Sequence, residues 1–230
     1  MGDWPTTSEE LIQVQEELRC RKPAIWRPGV APITVGACFV CFGRGSTRNG
    51  ARGDIGWAGA ALWHNRQVIA TATAKGAAGA PYSPGLLALR EGPLLEAAVR
   101  ALPTLPDVLL VNATGRDHPR RAGLALHLGA VLNIPTVGVT NRPLLAQGEW
   151  PAPDRGSTSP LWLEAENVAV WLRTRAGAHP LVIHPAWRTD LAVAVTVAQS
   201  VSLKARTPEP LRHARHLART ARAHDQGNSR

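Results

Sequence analysis

The chain has 230 residues, of which 44% are hydrophobic and 19% are charged, which excludes wholesale disorder and favours one hydrophobic core over two. No apolar run approaches the roughly 20 residues of a membrane-spanning helix, so we expect no membrane partner. The formal net charge of +9 is carried mostly by arginine. This favours an anionic partner, above all nucleic acid, although an arginine-biased composition would give the same charge.

The first predicted helix covers residues 8–21, because Thr7 and Glu10 have the spacing of a capping box and apolar residues then repeat at helical intervals. Residues 43–53 are rich in glycine and arginine and predict a long basic loop. Apolar and β-branched runs predict strands on either side of it, at 33–42, 55–63 and 67–74. We therefore expect a three-stranded antiparallel meander.

A second helix is predicted over 86–102, bent or restarted at Gly92 and Pro93. Further strands are predicted at 107–111, 134–139, 168–172 and 181–183, and further helices at 119–132, 190–202 and 209–224. Alternation of strand and helix implies parallel pairing. The expected fold is α/β, a mixed sheet flanked by helices, in a single domain over residues 1–224 with a disordered tail at 225–230.

The three cysteines are an odd number, and residues 1–10 contain neither an apolar stretch nor a basic leader. We therefore expect a cytoplasmic protein with free thiols. Cys38 and Cys41 would point to opposite faces of a strand, which argues against a zinc site. A nucleophilic Cys38 would need a nearby base or cation to lower its pKa.

Three segments resemble the endonuclease V (deoxyinosine 3′ endonuclease) family in order and spacing: Pro-Tyr-Ser-Pro-Gly at 81–85, His-Pro-Arg-Arg-Ala-Gly at 118–123 and Thr-Val-Gly-Val at 136–139. The likeness extends from about residue 8 to 222. It implies an RNase H-like fold. It also implies hydrolysis of DNA or RNA one nucleotide beyond a deaminated base, with a divalent cation held by carboxylates.

The resemblance assigns five positions to the chemistry, and four of them differ from the family pattern: Cys38, Asn112, Asn141 and Trp187, with Glu91 retained. Cys38 and Asn112 stand where the family has carboxylates, Asn141 where it has lysine and Trp187 where it has histidine. A thiol is a poor Mg²⁺ ligand and an amide lacks the charge. We expect Mg²⁺-dependent cleavage to be lost or impaired, with no cofactor and no metal site.

The resemblance also implies that Tyr82 lies in a loop used as a wedge between nucleic-acid strands, which Pro84 and Gly85 shape. Gly123 matches a glycine beside the pocket for the altered base, and Ala113 replaces another. These residues form the expected nucleic-acid site.

His118, Arg120 and Arg121 at a predicted helix start suit an anion at the helix N-terminus, or structural ion pairs. A stripe of arginines runs along the last helix and suits either nucleic-acid binding or a solvated helix face: Arg212, Arg215, Arg219 and Arg222.

Asp117 and Asp190 could replace lost metal ligands, although Asp117 fits better as a helix cap. Glu91 could have a pKa raised by burial or lowered by a neighbouring arginine.

Three functions remain open at this stage. The first is a protein that binds DNA or RNA without efficient cleavage. The second is a repurposed enzyme that acts on a small anionic molecule in the old cleft, as in specialised biosynthesis. The third is a weak inosine-directed nuclease that uses Glu91 with Asp117 or Asp190. A protein partner is compatible with each.

Overall fold

The computed structural model describes residues 4–43 and 49–227. In chain order the elements are α1 (Ser8–Cys20), β1 (Val35–Phe42), β2 (Ile55–His64), β3 (Gln67–Ala77), α2 (Leu87–Arg100), β4 (Val108–Val111), α3 (Leu124–Leu132), β5 (Thr136–Thr140), β6 (Thr158–Leu163), β7 (Glu166–Leu172), β8 (Leu181–Pro185), α4 (Leu191–Ser200) and α5 (Glu209–Gly227). Part of the predicted basic loop, residues 44–48, lies outside the described residues.

The predicted capping box forms at the start of α1. The Thr7 hydroxyl accepts a hydrogen bond from the Glu10 backbone N–H (3.2 Å), and the Glu10 carboxylate accepts one from the Thr7 N–H (3.3 Å). Leu11 and Leu18 then lie on the buried face of the helix. The first predicted helix is therefore confirmed, because its capping residues and its apolar spacing specify the same element.

The eight strands form one mixed sheet in the order β3-β2-β1-β4-β5-β8-β7-β6. β1, β2 and β3 are antiparallel, whereas β1, β4 and β5 are parallel, so the predicted meander and parallel pairing are both confirmed. β6 was not predicted. It lies at the sheet edge, largely exposed and containing Pro160, so it has neither the apolar run nor the unbroken backbone donors of a central strand.

Helices cover both faces of the sheet. Residues of α1, α2 and α3 pack with Cys38 on one face, and residues of α4 and α5 pack on the other. Cys41 lies on the α5 side. Burial raises the pKa of its thiol, and the charges of Arg222 and Arg219 on α5 oppose that rise. The prediction that the two cysteines point to opposite faces is therefore confirmed.

One helix prediction needs correction, and for another, one of its two alternatives is excluded. α3 begins at Leu124 rather than Pro119, because Arg121 has a left-handed backbone (φ 54°) and Gly123 an extended one (ψ 174°), neither of which continues a helix. α2 runs through Pro93 without a second start.

The C-terminal helix α5 continues to Gly227, past the predicted domain end at residue 224. Residues 228–230 of the predicted tail lie outside the described residues. Among the helices of the described residues, none has the length and apolar character needed to cross a membrane.

Candidate functional site

The carboxyl ends of the parallel strands β4 and β5 meet beside the middle of β1. Cys38 on β1 lies in register with Val111, the last residue of β4, and Asn112 follows directly. Asn141 follows the end of β5. Side chains at the carboxyl ends of parallel strands commonly line the binding crevice of an α/β sheet. The topology therefore brings three of the five predicted chemical positions to this edge of the sheet.

Cys38 is fully buried, and its burial raises the pKa of its thiol far above the ordinary value. The neighbouring Glu91 raises that pKa further. A protonated, inaccessible thiol is a poor nucleophile, because the thiolate is the reactive form. The arrangement argues against the hypothesis of a nucleophilic Cys38.

Glu91 lies in α2, and burial raises the pKa of its carboxyl to about 8. The adjacent Arg90 opposes this shift without overcoming it. The Arg90 guanidinium instead donates to Asp54 (2.9 Å) and lies 4.0 Å from the centre of the Phe42 ring. Of the two alternatives for Glu91, burial therefore outweighs pairing with arginine.

Asn112 holds a fixed orientation at the end of β4, where its side-chain Nδ2 donates to the Val139 carbonyl (2.9 Å). It lines a cleft cavity of about 150 Å³ that also includes Tyr82, Gly85, Ala113, His118 and Thr140. Cys38 and Glu91 do not line this cavity. The structure thus brings Asn112 and the predicted wedge loop together.

The wedge loop, residues 81–85, is anchored through one backbone carbonyl. The Gly85 carbonyl oxygen accepts hydrogen bonds from Gln15 Nε2 (3.1 Å), His118 Nε2 (3.1 Å) and Arg120 Nη2 (3.0 Å). Gly85 itself has φ 77°, a conformation that favours glycine. Tyr82, at 44% exposure, is presented to solvent by this fixed loop.

His118 and Arg120 are therefore internal supports of the loop, which favours the structural alternative over contact with an anion. Burial lowers the His118 pKa to about 4, so the ring is neutral at pH 7. Its Nδ1 accepts from the Arg120 backbone N–H (3.2 Å), which assigns the ring proton to Nε2, the nitrogen that donates to Gly85. Sequence reasoning missed Gln15, whose place on the buried face of α1 was the available signal.

Arg121 and Gly123 also have structural roles, and for Arg121 this is the predicted alternative of a structural ion pair. The Arg121 guanidinium is buried and donates to the Leu163 carbonyl (3.1 Å) and the Glu164 carboxylate (3.0 Å), which ties it to the β6–β7 hairpin. A Cβ on Gly123 would lie 2.4 Å from the Thr114 carbonyl oxygen. Glycine at this position therefore permits the close approach of α3 to the β4 loop.

Trp187 lies away from the cleft, contrary to its predicted place. Its backbone N–H donates to the Thr136 hydroxyl (3.0 Å) at the start of β5, whereas Asn141 follows the end of that strand. At a rise of about 3.3 Å per residue, these two ends are about 16 Å apart. The Asn141 side-chain oxygen accepts a hydrogen bond from Arg206 (2.8 Å). The sequence did not point to Arg206, because the segment that contains it has no periodic pattern.

The arginine stripe of α5 divides into two pairs. Arg212 and Arg219 are exposed, and with Arg206 they line a basic pocket of about 330 Å³. Arg215 lines the same pocket but stacks on Phe39, with its Cζ 5.0 Å from the ring centre. Arg222 donates to the Phe42 carbonyl (3.0 Å). The stripe is therefore only partly a solvated face.

The carboxylates of Asp117 and Asp190 bind protein groups away from Glu91. Asp117 is fully buried, and its carboxylate accepts from the backbone N–H groups of the 144–146 loop, at 2.6 to 2.9 Å. The prediction that it caps a helix is wrong. Asp190 caps α4 through the Val193 N–H (2.9 Å) and pairs with Arg27 (2.6 Å). Within residues 4–43 and 49–227, no group of three or more His, Cys, Asp and Glu side chains is arranged to hold a metal ion.

Comparison with known proteins agrees with this fold. A family model described as Endonuclease V matches residues 45–216. Endonuclease V of Streptomyces avermitilis is 39% identical over 220 residues, covering 95% of this chain and 93% of the relative. A crystal structure of endonuclease V from Streptomyces avermitilis has a TM-score of 0.85 at 37% identity and covers 97% of this chain and 96% of that chain.

A more distant structure, endonuclease V of Ciona intestinalis with a 23-mer DNA containing an inosine, has a TM-score of 0.71 at 22% identity, covering 94% of this chain and 98% of that chain. It shares the fold. The mixed sheet of this protein is thus the RNase H-like sheet of the endonuclease V structures.

Proposed function

We propose that this chain, which belongs to the endonuclease V family, binds nucleic acid at its cleft but does not cleave it efficiently with Mg²⁺. One observation carries the proposal. The loop that presents Tyr82 is held by three hydrogen bonds to the Gly85 carbonyl, while Cys38, Glu91 and Asn112 offer a thiol, one carboxyl and an amide.

The central side chains do not suit Mg²⁺, which the family uses. That ion needs hard oxygen ligands in a near-octahedral array. Glu91 is the one carboxylate among Cys38, Glu91 and Asn112, so these three positions offer at most one negative charge to a cation. Cys38 offers a buried sulfur in place of an oxygen. This donor set supports the expected loss of efficient cleavage.

Binding is supported by two exposed features near the cleft. Tyr82 offers an aromatic face on which a base can stack. Arg219 is exposed at the basic pocket, and Arg212, whose guanidinium pairs with Glu209 (2.6 Å), lines it as well. Arg206 joins this pocket to the cleft side by donating to Asn141 and to the His179 and Pro180 carbonyls. An exposed guanidinium binds phosphate through paired hydrogen bonds. Both features are available without a metal ion.

The two alternative functions receive less support. A repurposed enzyme in the old cleft would need room for its substrate, but the cavity beside Asn112 is about 150 Å³, below the roughly 300–1,000 Å³ typical of ligand pockets. A residual nuclease would need a second carboxylate beside Glu91. Asp117 and Asp190 bind backbone N–H groups elsewhere.

The binding proposal is tested by fluorescence anisotropy with a labelled deoxyinosine duplex over a range of salt concentrations. Arg212→Gln with Arg219→Gln should make the slope of log affinity against log salt concentration shallower by about two. Each lost phosphate contact removes about 0.9 from the magnitude of that slope. Arg19→Gln with Arg100→Gln removes the same charge from the exposed faces of α1 and α2, and should leave the slope unchanged. No binding at low salt, or equal slopes for both double variants, would contradict the proposal.

A further inference from the structure

A cavity of about 580 Å³ lies on the α1–α3 side of the sheet, between the end of α1, α3 and the turn that joins β8 to α4. Its volume is within the range of roughly 300–1,000 Å³ that holds small ligands. Asn112 and Tyr82 line a different cavity, so this one is separate from the nucleic-acid cleft.

The floor of the cavity is apolar. Leu18, Leu126 and Trp187 line it and are buried. The hydrophobic effect therefore favours a ligand with an apolar body.

The rim of the cavity is cationic. Lys22, Arg116 and Arg188 line it with full or partial exposure. Asp190 is the acidic residue among the described lining residues, and its carboxylate already pairs with Arg27 (2.6 Å) and caps α4. The mouth therefore carries a positive charge that the surrounding side chains do not neutralise, which favours an anionic ligand.

We propose that this cavity binds a small hydrophobic carboxylate, such as an aryl-substituted alkanoic acid. The apolar body packs against Leu18 and Leu126, and the carboxylate faces Lys22 and Arg116. This function is additional to nucleic-acid binding, since Trp187 lies at the opposite end of β5 from Asn141.

Calorimetric titration of the full chain with 5-phenylpentanoate tests the ligand class. The primary amide of this acid lacks the charge and should bind about tenfold more weakly. No binding of the acid, or equal affinity for its amide, would overturn the proposal.

Two pairs of variants test the place of binding. Ala192→Trp puts a large ring at an exposed position in the cavity lining and should weaken binding of 5-phenylpentanoate at least about tenfold, whereas Ala223→Trp on α5 should not. Lys22→Gln with Arg116→Gln should weaken it about fivefold, and Lys204→Gln with Arg142→Gln, which removes equal charge elsewhere, should not. Unchanged affinity in Ala192→Trp would overturn the assignment to this cavity.

Discussion

Glu91 and Cys38 lie within electrostatic reach of each other in a part of the molecule from which water is largely excluded. Their ionisation is governed by that burial more than by any partner. Sequence reasoning identified both residues and both directions in which the Glu91 pKa could move. It could not choose between them, because the choice depends on how deeply the fold buries Glu91 and on Arg90 pairing with Asp54, a contact across 36 residues of chain.

The Glu91 carboxyl should make stability fall with rising pH. Its folded pKa of about 8 exceeds the ordinary 4.5, so between these values the folded state holds a proton that the unfolded state has released. The free energy of unfolding therefore decreases as pH rises from 4.5 to about 8. Glu91→Gln should gain stability relative to the native protein over this window in urea unfolding, while the exposed Glu17→Gln should follow the native protein. Parallel pH profiles for Glu91→Gln and the native protein would contradict the raised pKa.

Cys38 should resist alkylation in the folded protein. Its thiol is buried and its pKa is raised, whereas Cys20 is exposed. Brief treatment with iodoacetamide followed by mass spectrometry of peptides should find label on Cys20 and none on Cys38, until denaturant is added. Labelling of Cys38 at the rate of Cys20 in native buffer would instead indicate an accessible, reactive thiol.

At the scale of elements, local patterns predicted α1 and the meander well, because their capping and periodicity are encoded within a few residues. The region around α3 was predicted poorly. His118, Arg120 and Arg121 have the composition of an anion site, yet their side chains reach Gly85, Gln15 and the β6–β7 hairpin. Such long-range partners leave no periodic signal in the sequence.

The wedge loop should contribute to affinity through Tyr82 without contributing to stability. Tyr82→Ala should weaken binding to a deoxyinosine duplex by about 1–3 kcal/mol, the usual range for a stacked base. Tyr82→Phe should retain the affinity. The thermal midpoint should be unchanged, because the Tyr82 ring is half-exposed and the loop is held at Gly85. Trp162→Ala removes an exposed aromatic from the far sheet edge and should not affect binding. Equal affinities of Tyr82→Ala and the native protein for the duplex would contradict a place for this loop in the nucleic-acid interface.

At the scale of the whole molecule, the order of predicted strands and helices gave the mixed sheet, and the resemblance gave its RNase H-like fold. The sheet brings Cys38 and Asn112 to one edge through their neighbouring strands. Trp187 was misplaced because its position in the chain does not reveal that the turn after β8 returns to the amino end of β5. The net charge of +9 gave no location for a binding surface. The fold supplies one by placing Arg206 beside Asn141 and the exposed arginines of α5.

The most direct test of binding without efficient cleavage is a single-turnover assay. Excess protein is mixed with a labelled deoxyinosine duplex and Mg²⁺, at a concentration that saturates the anisotropy signal, with endonuclease V of Streptomyces avermitilis as the positive control. We predict full occupancy with at most a trace of product cut one nucleotide past the inosine, because Cys38, Glu91 and Asn112 do not form a ligand set for Mg²⁺. Cleavage at a rate comparable with the positive control would contradict the account.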